Sequence, residues 1–163
     1  MLILLVGPIA SGKSTLARQL AQNGALIIND DDFVLSLHAG QYGLYEERAK
    51  HIYKGVENAV LLPGLATGFD VVVDRPLHCR STRRRYVELA RSIDVPAIAV
   101  EFPREKPEIH AGRRTTSDAR GKDFDYWLGV ARAHEKLWQP VIDDEGFDNV
   151  IPAELALDVI INH

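Results

Sequence analysis

Residues Gly7-Pro8-Ile9-Ala10-Ser11-Gly12-Lys13-Ser14 constrain this chain more than any other stretch. They fit G-x-x-x-x-G-K-[ST], the P-loop pattern, in which a glycine-rich loop wraps phosphate oxygens with inward-pointing backbone N–H groups. The flanks agree with the letters. Leu2-Ile3-Leu4-Leu5-Val6 in front is an apolar run of strand length. Thr15 to Gln22 behind it has helical spacing, with Leu16 and Leu20 on one face and Asn23-Gly24 as a stop. The new helix adds its positive N-terminal end to the loop. Gly7, Ala10, Ser11, Gly12, Lys13, Ser14 and Thr15 are the candidate nucleotide contacts. Lys13 would reach the β- and γ-phosphates, and Ser14 would help to hold Mg²⁺.

At 163 residues the chain is expected to form one domain with one core. Its apolar runs are too short to span a bilayer, so no membrane partner is expected. Met1 leads directly into the first apolar run, which points to no signal or transit peptide. Cys79 is the sole cysteine, which excludes an internal disulfide and fits a cytoplasmic location. A net charge of −4 argues against a general nucleic-acid coat protein. The charge is uneven, however, with basic stretches at residues 75–91 and 104–122 that suggest local handling of phosphate.

Strand and helix patterns alternate along the chain, which predicts a three-layer α/β fold around a five-stranded, mainly parallel sheet. A second strand at Ala25–Asn29 ends in Asp30-Asp31-Asp32, where open α/β sheets place ligands. These carboxylates can bind metal, act as a base or cap a helix. A short helical turn and loop is read over Val34–Gly43. A long helix is predicted from Tyr45, with Tyr45, Ala49, Ile52, Val56, Ala59 and Val60 as its buried stripe and Glu57 on its solvated face. Pro63 should kink or end it. A third strand at Phe69–Asp74 leads into Arg75-Pro76, then a helix from Ser81 to Ser92 that buries Tyr86, Leu89, Ala90 and Ile93 and exposes its arginines. A fourth strand at Ala97–Phe102 precedes a short helix near Glu108–Arg114, a polar linker, and a helix from Asp123 to Gln139. Its Trp127 and Trp138 read as packing residues. A fifth strand is expected at Phe147–Ile151, and the pattern leaves Ala153–Ile161 open between helix and strand.

Four motifs together resemble the kinase domain of polynucleotide kinases and their P-loop relatives, including zeta-toxin-like kinases: Gly7–Ser14, Asn29-Asp30-Asp31-Asp32-Phe33, Val71-Val72-Val73-Asp74 and Arg113/Arg114 with Arg120-Gly121. The resemblance implies a P-loop kinase with a helical lid over about residues 107–122, using ATP and Mg²⁺. It implies that Asp31 is the general base on an acceptor hydroxyl. It also implies that Arg113, Arg114 and Arg120 are lid cations on the nucleotide, Arg114 and Arg120 serving catalysis alongside Lys13. The acceptor side departs from the family. Val34 stands where the family carries an arginine for the acceptor's phosphate, and Asp74-Arg75-Pro76 replaces its D-T-N-like sequence. Asp31, Asp74, Arg75 and Arg80 are therefore the acceptor-binding candidates, with Arg75 and Arg80 replacing the missing cation.

The implied reaction is γ-phosphate transfer to a hydroxyl of a nucleic acid or nucleotide. Within the kinase class the acceptor alternatives are a hydroxymethylated base in DNA, as in the small phage DNA kinases, a nucleoside monophosphate, or a small-molecule hydroxyl. A P-loop NTPase switch is the reading from a different class, with Val71-Val72-Val73-Asp74 as a hydrophobic strand ending in a carboxylate.

Overall fold

The computed structural model describes residues 1–118 and 121–162. Its sheet has the order β2-β3-β1-β4-β5, built from β1 (Leu2–Val6), β2 (Leu26–Ile28), β3 (Val71–Val73), β4 (Ala97–Glu101) and β5 (Asn149–Pro152). Every pairing is parallel. Central β1 sets the register, with Leu2 opposite Val71 on one side and Ala97 on the other.

Side chains alternate across a strand, so β1 feeds two cores. Leu2, Leu4 and Val6 pack beneath α3 (Lys50–Ala66) and α4 (Arg80–Arg91), with Leu61, Leu65, Tyr86 and Val87. Ile3 and Leu5 pack on the other face beneath α1 (Lys13–Gln22) and α7 (Ala153–Ile161), with Leu16, Leu20 and Ile160. Every residue of β1 and β3 is fully buried. That is why both read as unbroken apolar runs: a parallel sheet covered by helices has no solvent face to alternate toward. The result is the predicted three-layer α/β fold. The open segment at the end of the chain is helix α7.

The second layer departs from expectation in four places. Helix α2 (Asp30–Leu37) begins at the first aspartate, because Asn29 caps it: the Asn29 Oδ1 accepts hydrogen bonds from the N–H groups of Asp31 (2.9 Å) and Asp32 (3.3 Å). The helix predicted from Tyr45 begins instead at Lys50, after two 3₁₀ turns at Tyr42–Leu44 and Glu47–Ala49. Its buried face is Tyr53, Glu57, Leu61, Gly64 and Leu65, whereas Ile52 is half exposed. The helix continues through Pro63 to Ala66 and stops at Gly68, whose N–H reaches the Leu65 carbonyl.

In α4 the arginines are not uniformly exposed. Arg83 is fully buried and grips Glu145 with two N–H groups, at 2.7 Å and 2.6 Å. It also donates to the Leu77 and Pro140 carbonyls. This planar fork ties α4 to the segment after α6 (Phe124–Leu137) and fixes the loop leaving β3. Helix α5 (Pro107–Ser117) extends beyond its predicted end and packs along α6 as a helical hairpin over the carboxyl edge of the sheet.

Candidate active site

The phosphate loop leaves β1 where space forbids any side chain. A Cβ on Gly7 would lie 2.7 Å from the Phe102 Cβ and 2.8 Å from the Ser11 Oγ. Gly12 sits at φ +104, left-handed backbone that L side chains rarely adopt, and caps α1. These constraints aim the first N–H groups of α1 into a cleft. Lys13 is buried beneath the loop, its Nζ donating to the carbonyl oxygens of Gly7 (3.0 Å) and Pro8. Burial pushes its ammonium down to about 8; Asp74 opposes that shift and Arg114 adds to it.

The cleft, about 230 Å³, brings together Lys13, Ser14, Asp31, Asp74, Arg75 and Arg114. An adjoining space of about 340 Å³ is lined by Gly12, Thr15, Arg18, Arg113 and Arg114, and shares Ala10, Lys13 and Ser14 with the first. The P-loop thus faces a cation-rich chamber on one side and carboxylates on the other.

The carboxylates are placed by the cap. Asn29 ends β2 and caps α2, and its Nδ2 donates to Asp74 Oδ2 at 2.9 Å, locking the ends of neighbouring strands together. Asp30, Asp31 and Asp32 form the first turn of α2, where the helix dipole favours anions. Asp30 is ion-paired to Arg75. Asp31 faces Arg114, 3.9 Å from its Nη2. The carboxyl of Asp32 is pushed up by partial burial and by the nearby charges of Asp74 and Asp31, against the pull of Arg18.

Arg75 enters the cleft from a buried network. Its Nη2 lies 2.7 Å from Glu57 Oε2, and its Nη1 donates to the Tyr86 hydroxyl at 2.8 Å. That hydroxyl donates to Glu57 Oε1 at 2.9 Å, and Lys54 pairs with the same oxygen. Burial alone would push the Glu57 carboxyl up; the hydrogen bond from Lys54, the Arg75 charge and the Tyr86 hydroxyl outweigh it and hold the group below the ordinary glutamate range.

The candidates divide accordingly. Gly12, Lys13, Ser14, Thr15, Ala10, Arg113, Arg114, Asp31, Asp74 and Arg75 line the two chambers, while Gly7 and Ser11 shape the loop behind them. Arg113 is ion-paired with Glu105 at the rim. Arg80 is not with them. Leu77 is buried in the core, so the loop after β3 turns down and α4 starts against the end of α6. There the Arg80 N–H donates to Gln139 and its side chain lies 3.6 Å from Glu145. Arg120 falls outside the described residues.

Sequence reasoning did not name Asn29, Arg18, Trp127 or Glu57 as site residues, although it quoted Asn29 in a motif and read Trp127 as a packing residue, which its burial bears out. Asn29 carried a usable signal, since Asn before an acidic run is a favoured N-cap. Trp127 packs in the cleft wall with the Arg114 guanidinium 4.8 Å from its ring. Among the described residues no cluster of three or more His, Cys, Asp or Glu forms a self-contained metal site, and no helix is long and apolar enough to cross a membrane.

Comparison with solved structures finds the same fold at low identity. A Chloroflexus aurantiacus protein provisionally named a kinase aligns with TM-score 0.67 and 16% identity over 99% of this chain and 94% of its own. Kti12 from Chaetomium thermophilum, in complex with ADP-AlF3, aligns with TM-score 0.61 and 14% identity over 99% and 98%. A gluconokinase from Sinorhizobium meliloti aligns with TM-score 0.54 and 17% identity over 98% and 86%. No curated protein sequence matches the chain. A family model described as an AAA domain matches residues 2–134, from β1 into α6, and so contains the phosphate loop, the aspartate turn and the α5 arginines: the chain belongs to the AAA domain family.

Proposed function

We propose that this protein is an ATP-dependent kinase that transfers the γ-phosphate to a hydroxyl of a nucleotide or nucleic acid. The observation that carries the reading is one cleft holding Lys13 and Ser14 on one wall, Asp31 and Asp74 on the other, and Arg114 above them. Phosphoryl transfer needs this set: a cradle for the donor, cations on the moving group, and a carboxylate facing the nucleophile.

In this reading ATP lies on the loop, and Lys13 leaves the carbonyls of Gly7 and Pro8 for the β- and γ-phosphates. Asp31, at the junction of the donor cleft and the groove beyond it, takes the proton from the acceptor hydroxyl. The hydroxyl oxygen bonds to the γ-phosphorus as the bond to the β–γ bridging oxygen breaks, and ADP leaves. Arg114 and Arg113 neutralise charge on the transferring group, with α5 in the lid. Arg75 holds the acceptor in place of the arginine that Val34 replaces. The residues present fit Mg²⁺: the Ser14 hydroxyl opens into the cleft, and Asp31, Asp32 and Asp74 crowd close enough to repel one another. Ser14 would hold the ion with these carboxylates nearby, and it would supply charge neutralisation for the phosphates and offset that repulsion.

The fold resemblance to structures named as a gluconokinase and a shikimate kinase supports the phosphotransferase class. Arg75, at the end of the cleft beyond Asp31, favours a phosphate-bearing acceptor within it. The test is transfer from γ-labelled ATP to a panel: 5′-hydroxyl DNA and RNA, DNA with hydroxymethylated bases, nucleoside monophosphates, shikimate and gluconate. Transfer to a nucleotide-bearing acceptor supports the reading. ATP hydrolysis with no transfer to any of them refutes it in favour of an NTPase switch.

A further inference from the structure

Beyond Asp31 the donor cleft opens into a second groove, about 410 Å³, between α2 and α3. The two share Asp30, Asp31 and Arg75. The rest of the groove has an unusual composition. One wall is tyrosine: Tyr42 and Tyr45 lie nearly parallel, 6.2 Å apart at 11°, and Tyr45 and Tyr53 follow at 5.5 Å and 25°. Tyr53 is buried and pinned by His38, whose Nε2 lies 2.8 Å from its hydroxyl. Tyr45, the middle ring, is 37% exposed, and Tyr42 beyond it is partly buried. The floor is Val34, nearly fully buried and without a polar group. Lys50 and Lys54, one turn apart on α3, supply cations on the remaining side. Lys54 and Arg75 share the buried Glu57, so Lys50 is the cation most readily turned to a ligand. It pairs with Glu47, which also accepts from the Tyr45 hydroxyl, but Lys50 and Glu47 are more than two-thirds exposed and such a pair is exchanged at little cost.

We propose that this groove is the acceptor subsite and that it takes a nucleotide, whose base packs against the tyrosine wall and whose phosphate meets Lys50, Lys54 and Arg75. The inference rests on the kinase reading for its chemistry, but the site stands on its own geometry. An aromatic wall over an apolar floor suits a flat, uncharged ring; a polyol or a small carboxylic acid would leave both without a partner. The phosphate cannot lie on Val34, and the lysines on α3 are the cations facing the ring wall. Asp31 at the shared rim places the reacting hydroxyl toward the donor.

The test is equilibrium binding without ATP, using thymidine, thymidine monophosphate, a single-stranded thymidine octamer, shikimate and inorganic phosphate as probes. The base-bearing phosphorylated probes should bind, and shikimate and phosphate should bind far more weakly. Tyr45 stands between Tyr42 and Tyr53 and offers its edge to a ring, a contact worth about 0.5–1.5 kcal/mol, so Tyr45→Ala should weaken those probes roughly 2- to 13-fold. Tyr45→Phe should restore them, and ATP affinity should not move. Lys50→Ala should weaken the monophosphate but not thymidine. Octamer binding that is tighter than the monophosphate and falls steeply with salt identifies a strand as the nucleotide's source, and equal affinities identify the mononucleotide. Nucleotide probes that bind Tyr45→Ala and Lys50→Ala as well as wild type overturn the groove assignment while leaving the kinase reading intact. Loss of ATP binding and transfer in the wild type would instead sink the kinase reading, whatever the groove binds.

Discussion

Glu57 gives the sharpest test of how the site is held. It is a fully buried carboxylate whose oxygens serve Arg75, Lys54 and Tyr86. Glu57→Gln keeps the shape and removes the charge, and it turns an amide N–H₂ toward groups that are themselves donors. Removing one partner of a buried pair costs about 3–5 kcal/mol, because the other charge stays in a low-dielectric site. Asp30 still contacts Arg75, so the low end applies, about 3 kcal/mol. For a chain of this size that is a fall in Tm of roughly 6–12 °C by calorimetry. The pH dependence has a fixed sign. The folded-state pKa of Glu57 is depressed, so its stabilisation is fully present above the ordinary value of 4.5 and is lost as the pH falls through the lower folded value. The gap between wild type and variant should therefore be widest near neutrality and close in acid. Adding Arg75→Met to Glu57→Leu should recover part of the loss, because the orphaned charge is then gone. A Glu57→Gln protein that melts within about 2 °C of wild type at pH 7, less than 1 kcal/mol, would refute the reasoning. So would a gap that persists unchanged at low pH.

Lys13→Met should abolish transfer without lowering Tm, because burial depresses the Lys13 pKa and its charge opposes folding at neutral pH; a drop of several degrees would contradict this. Asp31→Asn should cut turnover by about 100- to 10,000-fold with ATP binding retained, measured by single-turnover transfer and by nucleotide titration. Arg83→Met leaves Glu145 buried without its fork and should cost about 3–5 kcal/mol in denaturant unfolding, whereas Arg80→Ala should leave the acceptor KM unchanged. His134 is pushed down to about 4 by burial first, then by His78 and Lys13, so its contribution is complete above 6.5 and lost between there and 4 as the pH falls; His134→Leu should flatten the melting profile across that window.

The residues legible in the sequence were those whose chemistry admits one environment. Val71-Val72-Val73 has nowhere to go but a strand buried on both faces, and the Gly7 and Gly12 spacing has one backbone that satisfies it. The residues that misled were those whose environment is made by a distant partner. Arg83 reads as a surface arginine until Glu145, 62 residues away, is brought beneath it. Glu57 reads as a solvated face because the stripe through Ile52 and Val56 is as apolar as the stripe through Tyr53, Leu61 and Leu65. Periodicity fixes that one face is buried but not which one, and the choice turned on Arg75 and Tyr86, which lie on other elements. Arg80 failed for the same reason in reverse: its position just beyond β3 suggested the cleft, but the burial of Leu77 turns the chain away before Arg80 is reached.

The same contrast between local and long-range partners separates the phosphate loop from Arg75. The phosphate loop is defined by its own backbone and by Phe102, so its geometry is local and its letters are constrained one by one. Arg75 is positioned from two sides, by Glu57 and Tyr86 behind it and by Asp30 in front. Asp30 lies in a helix turn set by Asn29, which also holds Asp74 within electrostatic reach of Lys13. An acceptor cation supplied this way needs no arginine on α2, and Val34 is then free to become an apolar floor for the tyrosine wall. In the proposed acceptor site the charge therefore comes from Arg75 beyond β3 and from the lysines of α3, and Val34 on α2 leaves an apolar surface beside the tyrosines.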